Sequence, residues 1–162
     1  MSENFDAIIY SDGGCRNHGN LKGQHVKSDD KAAWAFMIDQ AGDRVSGSGG
    51  TFGATNNQME LTGFIEGMKK AIELGIQDKK INFVLDSQYV LNPITKKWLV
   101  GWKNRGWRKA DKKPVLNVEM WQEIDRLLPN FTDATFTWTK GHANDEGNNF
   151  VDELLNQYMD KM

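Results

Sequence analysis

A mixed α/β sheet with helices on its faces is predicted by two observations. Five short runs have strand composition, and they follow an order: three strands, then helix, strand, helices, strand and helix. Residues 5–11 are β-branched and aromatic and stop at Asp12-Gly13-Gly14, a turn signal, so the first strand is expected to end at Asp12. Residues 15–31 are polar without apolar period and read as a long loop. Residues 32–38 and 44–52 read as two strands joined by a turn at 39–43. Leu61, Phe64, Ile65, Met68 and Ile72 recur at helical spacing, with Asn56 or Asn57 as N-cap and Gly75 as the C-terminal stop. Residues 81–85 are continuously apolar, as in a central strand covered on both faces, and end in Asp86. Residues 87–105 read as helix in two pieces broken near Asn92-Pro93, and 106–114 as a basic loop. A helix at 118–128 is stopped by Pro129, and a strand follows at 134–139. A last helix from about Asn148 carries Val151, Leu154, Leu155, Tyr158 and Met159 on one face.

The chain has 162 residues, 39% of them hydrophobic and 26% charged, which fits one soluble domain spanning 1–162. No apolar run approaches the roughly 20 residues of a membrane helix, so no membrane span is expected. Met1-Ser2-Glu3-Asn4 offers neither the basic nor the apolar region of a signal peptide. Cys15 is the single cysteine, which excludes an internal disulfide and suits a reducing, cytoplasmic setting.

Net charge is −2, but its distribution is uneven. Residues 96–113 carry Lys96, Lys97, Lys103, Arg105, Arg108, Lys109, Lys112 and Lys113 against Asp111 alone, a net +7, and the rest of the chain carries −9. Trp98, Trp102 and Trp107 interleave with these cations. Aromatics among lysines and arginines suit a surface that tracks a nucleic-acid backbone, with at least one of the three tryptophans turned into the core.

Asp12 and Asp86 each sit at the carboxyl end of an apolar strand, where ligands gather in open α/β sheets. Glu60 and Asp152 lie at the edges of the apolar stripes of two helices. Singly, each has an ordinary explanation: Asp12 a turn residue, Glu60 a helix-dipole partner, Asp86 an N-cap, Asp152 a solvated acid. Together, four carboxylates from four elements would repel one another unless a divalent cation joined them. Mg²⁺ is hard, prefers oxygen and is completed by water and phosphate. Two such ions about 3.5–4 Å apart can activate a water and stabilise a leaving oxygen in phosphoryl displacement. His142, in a polar loop, is placed to shuttle a proton. Cys15, His18 and His25 lack a fourth ligand for zinc.

Tyr10-Ser11-Asp12-Gly13-Gly14, Thr55-Asn56-Asn57-Gln58-Met59-Glu60-Leu61, Leu85-Asp86-Ser87-Gln88-Tyr89-Val90, Lys140-Gly141-His142 and Asp152-Glu153-Leu154 occur in an order and spacing that resemble type 1 ribonuclease H in its cellular, stand-alone form. The likeness runs from about residue 6 to residue 158. Residues 102–107 and 110–115 are similar to that family's basic protrusion. The resemblance implies a ribonuclease H-like fold with a mixed five-stranded sheet, and Asp12, Glu60, Asp86 and Asp152 as ligands of two Mg²⁺ ions, with Mn²⁺ as a substitute. His142 would assist proton transfer or product departure. The implied reaction is endonucleolytic hydrolysis of the RNA strand of an RNA–DNA hybrid, leaving 5′-phosphate and 3′-hydroxyl ends, by a monomer.

Choosing RNA requires contacts to the 2′-hydroxyl across the minor groove. The resemblance assigns hybrid contacts to Gly13, Cys15, Asn56, Asn57 and Gln88, and a phosphate of the DNA strand to Thr55. Trp98, Trp102, Lys103 and Arg105 would grip DNA backbone and sugars without reading sequence. Two departures stand out. The loop at 16–31 is longer and more charged than the compact Gly/Pro-rich loop of many relatives, leaving Asn17 or Asn20 as the asparagine that touches substrate. A glutamate common in relatives three residues before the last aspartate is here Asn149, with Glu146 as the nearby substitute. The competing readings are a resolvase or transposase core on the same fold and a non-catalytic hybrid-binding module.

Overall fold

The computed structural model describes residues 4–16, 27–140 and 145–162. Five strands, β1 (Ala7–Arg16), β2 (Lys31–Gln40), β3 (Asp43–Phe52), β4 (Ile81–Leu85) and β5 (Ala134–Trp138), form one sheet in the order β3-β2-β1-β4-β5. The β1–β2–β3 pairs are antiparallel, and β4 and β5 add in parallel. The helices are α1 (Asn56–Glu73), α2 (Gln88–Thr95), α3 (Trp98–Asn104), α4 (Val118–Leu127) and α5 (Glu146–Asp160).

Alternation along the strands divides the core between two faces. Ile9, Phe36, Ile38 and Phe83 pack with Leu61, Phe64 and Met68 of α1 and Trp121 and Ile124 of α4. Ala33, Ala35 and Met37 turn the other way onto Val151, Leu155 and Met159 of α5. Phe83 stacks on Phe136 at 5.3 Å and meets Phe64 edge-on at 5.4 Å, so the parallel half of the sheet is closed by aromatic contacts. Among the described residues no helix is long and apolar enough to cross a membrane.

Several boundaries differ from those expected. β1 does not turn at Asp12-Gly13-Gly14: it stays paired with β2 as far as Arg16 opposite Lys31. Its other neighbour, β4, stops at Leu85 opposite Ser11. Asp12 is therefore the first residue of β1 with a strand on only one side, which opens a crevice there. Gly13 is needed for a different reason than a turn. A Cβ on Gly13 would overlap the backbone of Met59 and Glu60, and one on Gly63 would lie 2.8 Å from the Asp12 carbonyl oxygen. Helix α1 thus rests on β1 at backbone-to-backbone distance, strand glycine and helix glycine both contributing.

The N-cap of α1 is Thr55, not Asn56 or Asn57. Its hydroxyl accepts from Gln58 N at 3.1 Å while Gln58 Oε1 accepts from Thr55 N at 2.8 Å, a capping box. The helix ends as expected at Gly75, whose φ of +75° is left-handed, with Gly75 N donating to Ile72 O and Ile76 N to Ala71 O. Pro93 lies inside α2, and the break expected there falls at Lys97 instead, whose φ of +64° separates α2 from α3. Pro129 sits in a 3-10 turn, Leu128–Asn130, that closes α4. α5 starts at Glu146, earlier than expected, because Asp145 caps it by accepting from Asn148 N at 3.0 Å.

Gly13→Ala and Gly63→Ala are each expected to lower stability by about 1–3 kcal/mol, since the added methyl meets backbone that cannot step aside. Urea unfolding measures it; a loss no larger than that of an exposed surface substitution would contradict the close packing of α1 on β1.

Candidate active site

Asp12 on β1, Glu60 in the second turn of α1 and Asp86 just past β4 each offer a carboxylate oxygen within 4.8 Å of the others. Three local arrangements bring them together. The glycine contact sets the first turns of α1 beside Asp12. The parallel register ends β4 one residue before Asp86, next to the uncovered part of β1. Ser87, not Asp86, caps α2, accepting from Val90 N at 3.3 Å, which leaves the Asp86 carboxylate uncommitted to the helix. Gly13 N donates to Asp12 Oδ1 at 2.8 Å, and Trp138 Nε1 donates to the Asp86 main-chain oxygen at 3.0 Å.

Burial raises the pKa of Asp12 from an ordinary 3.8 to about 7, with the Asp86 charge adding to it. Glu60 is pushed well above its usual range, first by burial and then by Asp12 and Asp86. Asp86 is raised by burial, and Asp152 adds to it. The three acids can only coexist by sharing protons or by accepting a cation. Among the described residues, Asp86 Oδ1 is buried without a hydrogen-bond partner. An all-oxygen donor set with an orphaned carboxylate oxygen fits a hard divalent cation such as Mg²⁺ or Mn²⁺.

Asp152, on α5, is exposed and stands outside this compact group, yet its charge acts on both Asp12 and Asp86. The strand alternation explains this. Asp12 lies on the face of β1 that carries Gly14, where a Cβ would sit 3.6 Å from Leu155 of α5. The helix is held at this end by Arg16. Its guanidinium reaches Asp160 at 2.8 Å and the Asn156 carbonyl at 3.1 Å, while Asn156 Nδ2 donates to the Asp152 carbonyl at 2.8 Å. At the other end Arg44 binds both Asp39 and Glu146 and lies over the Phe150 ring. Glu146, the nearby substitute expected for a glutamate at Asn149, is thus paired with the β2–β3 hairpin through Arg44. His142, Asn17, Asn20, His18 and His25 lie outside the described residues.

The residues expected to touch a nucleic acid fall into two groups. Thr55, Asn56 and Asn57 are exposed at the start of α1, and Gln88 is exposed at the start of α2. Asn56 Oδ1 accepts from Cys15 N at 2.7 Å, so this side chain also ties α1 to β1, and the half-buried Cys15 thiol is shifted up by burial. The second group is the basic segment. Trp98 is 45% exposed with Lys96 Nζ 5.6 Å from its ring, whereas Trp102 packs edge-on against Trp121 at 5.5 Å and Trp107 also leans on the core. Lys103 pairs with Asp125 at 3.1 Å, and Arg105 Nε donates to the Arg108 carbonyl at 3.1 Å. Lys97, Trp98, Trp102, Arg105 and Lys109 line a cleft of about 410 Å³. Two features escaped the sequence reading. Gly63 and Gly67 stand four apart on the buried side of α1, a visible signal of close helix approach, while nothing in its local sequence marks Trp138 as a partner of Asp86.

Acids gathered where β1 loses one of its neighbours and just past the end of β4, in this sheet order, fit a hydrolase of the nuclease class. The chain belongs to the ribonuclease H family, whose model matches residues 4–160. A ribonuclease H of Ruthia magnifica subsp. Calyptogena magnifica is 38% identical over 156 residues, 96% of each chain. Among solved structures, LC9-RNase H1, described as a type 1 RNase H with the type 2 active-site motif, superimposes with a TM-score of 0.77 at 23% identity, over 99% of this chain and 75% of that one. A foamy viral protease-reverse transcriptase in complex with RNA/DNA hybrid matches with a TM-score of 0.74 at 18% identity, over 98% of this chain and 20% of that one.

Without divalent cation, Asp12 holds a proton in the folded chain that it releases on unfolding. The stability this confers is full below pH 3.8 and is lost as pH rises to about 7. Relative to Asp12→Asn, the cation-free protein is therefore expected to melt at progressively lower temperature between pH 4.5 and 7.5, and Mg²⁺ to restore part of the loss at pH 7.5. A difference that stays flat across this range would contradict the raised pKa.

Proposed function

We propose that the protein is a single-domain, monomeric ribonuclease H of type 1 that hydrolyses the RNA strand of RNA–DNA hybrids, leaving 5′-phosphate and 3′-hydroxyl ends. The observation that carries this is the acidic group of Asp12, Glu60 and Asp86 within 4.8 Å, holding a buried oxygen without a partner. Asp12, Glu60 and Asp86, with Asp152 across the crevice, would hold two Mg²⁺ ions, replaceable by Mn²⁺, whose chemistry is to activate the attacking water and stabilise the leaving oxygen. Asp12 and Asp86 are the rigid members, held by the pairing of β1 and by the end of β4, and by the hydrogen bonds from Gly13 N and Trp138 Nε1. Glu60 closes the site from α1. Asp152, exposed on α5, is the member best placed to adjust as substrate enters. His142 carries a proton to or from the reacting phosphate and speeds departure of the product.

Selection of RNA falls to the polar atoms around the acids. Gly13, Cys15, Asn56, Asn57 and Gln88 lie along the path of a minor groove and meet its 2′-hydroxyls, and Thr55 meets a phosphate of the DNA strand. Trp98, Lys103 and Arg105 hold the backbone of the hybrid farther along, with Trp102 anchoring α3 so that they face solvent.

Cleavage of one labelled RNA strand tests this, presented as RNA–DNA hybrid, RNA duplex and single strand, with Mg²⁺ and with chelator. Metal-dependent cutting confined to the hybrid is expected. Binding without cutting in both Mg²⁺ and Mn²⁺ would make the protein a hybrid-binding module instead. Asp12→Asn is expected to abolish cleavage without weakening hybrid binding. Neutralising Lys103 and Arg105 together is expected to raise KM and to reduce the slope of log affinity against log salt by about two, with kcat unchanged. A fall in kcat alone would remove the basic segment from substrate binding.

A further inference from the structure

Trp138 ends β5 directly opposite Leu85, and its indole N–H is fixed on the Asp86 main-chain oxygen at 3.0 Å. The ring is nevertheless 44% exposed, and Lys140 Nζ lies 5.7 Å from its centre. Supporting Asp86 requires only a hydrogen-bond donor. A tryptophan brings in addition a broad apolar surface, left partly open to solvent next to the Asp86 peptide, with a cation beside it. A polyanionic strand that places a phosphate among carboxylates gains from a positive charge immediately alongside, and a rigid aromatic ring is a sequence-independent surface for a sugar.

We propose that Trp138 and Lys140 form a sugar–phosphate contact for the RNA-strand nucleotide next to the cleaved phosphodiester, the indole packing on its ribose and the ammonium bonding its phosphate. The contact rests on the reading of Asp12, Glu60 and Asp86 as the hydrolytic centre, because Asp86 is what places the ring beside the reacting phosphate. It is separate from the basic segment at 96–113 in sequence and in the element that carries it. There, an exposed ring and its cation, Trp98 and Lys96, sit where α2 meets α3; here, Trp138 and Lys140 sit on the end of an edge strand. The indole N–H has a second consequence. Because Asp86 O holds it, the ring presents one orientation to the substrate, so little ordering is left for binding to supply.

Hybrid binding in chelator, measured by fluorescence anisotropy over a range of salt, tests the contact with three variants. Trp138→Ala is expected to weaken binding about tenfold. Trp138→Phe, which keeps a ring but not the hydrogen bond that orients it, is expected to fall between Trp138→Ala and the wild type, about threefold weaker than the latter. Lys140→Gln is expected to lower the salt slope by about one. Wild-type binding and salt slope in both Trp138→Ala and Lys140→Gln would overturn the proposal, as would Trp138→Phe binding as weakly as Trp138→Ala with both variants melting like the wild type. If the wild type itself neither binds nor cuts a hybrid, the functional reading fails. If it does both and the variants match it, only this contact fails.

Discussion

The carboxylate site depends on how closely helix α1 lies on strand β1. Gly13 and Gly63 remove the side chains that would otherwise hold the two backbones apart, and the contact is so close that a methyl group at either position meets main-chain atoms. The approach carries Glu60 to Asp12 and shields both from water. It also turns three ordinary acids into a group whose charges cannot all persist unaided. Packing and electrostatics are thus opposed at this point: the helix contact stabilises the fold while desolvating the acids destabilises it. Such a conflict is expected where a structure is arranged for a ligand rather than for its own stability.

The rest of the fold keeps that conflict in place. β4 ends opposite Ser11, so Asp86 arrives beside the open side of β1. Ser87 supplies the helix cap that Asp86 would otherwise have served, and Trp138 holds the Asp86 peptide from the neighbouring strand. On the opposite face, α5 is seated by Val151, Leu155 and Met159 and gripped near its two ends by Arg44 and Arg16, with Asp152 between them. Membership in the ribonuclease H family gives this arrangement its context: relatives sharing over a third of their residues along nearly the whole chain.

The fold class and the succession of strands and helices along the chain were legible because apolar runs and helical spacing are local signals. So was the placement of Asp86 at the end of β4 and of Glu60 at the edge of the apolar stripe of α1, whereas Asp12 lies within β1, at the point where β4 stops beside it. What the sequence concealed was non-local. Asp12-Gly13-Gly14 has the composition of a turn, yet the glycine serves a helix contact with residues 59 and 60, and the strand runs on. Asn56 looks like a cap, but its side chain is drawn to Cys15 N, and Thr55 caps with help from Gln58. Glu146 has a partner that the local sequence does not announce, Arg44, about a hundred residues earlier. Trp102 sits in a basic run suited to nucleic acid, yet its ring is drawn against Trp121, which lies on another helix.

Calorimetric titration of Mn²⁺ into the protein at pH 6.5, in buffers of different ionisation enthalpy, tests the central claim most directly, because it counts protons released as the cation binds. Acids held protonated by their own crowding must give those protons up to a metal. Proton release on binding by the wild type, and its loss together with most of the affinity in Asp12→Asn, is the predicted result. Binding that releases no protons and is unchanged in Asp12→Asn would show that the cation sits elsewhere, and that the contact between α1 and β1 does not build the site.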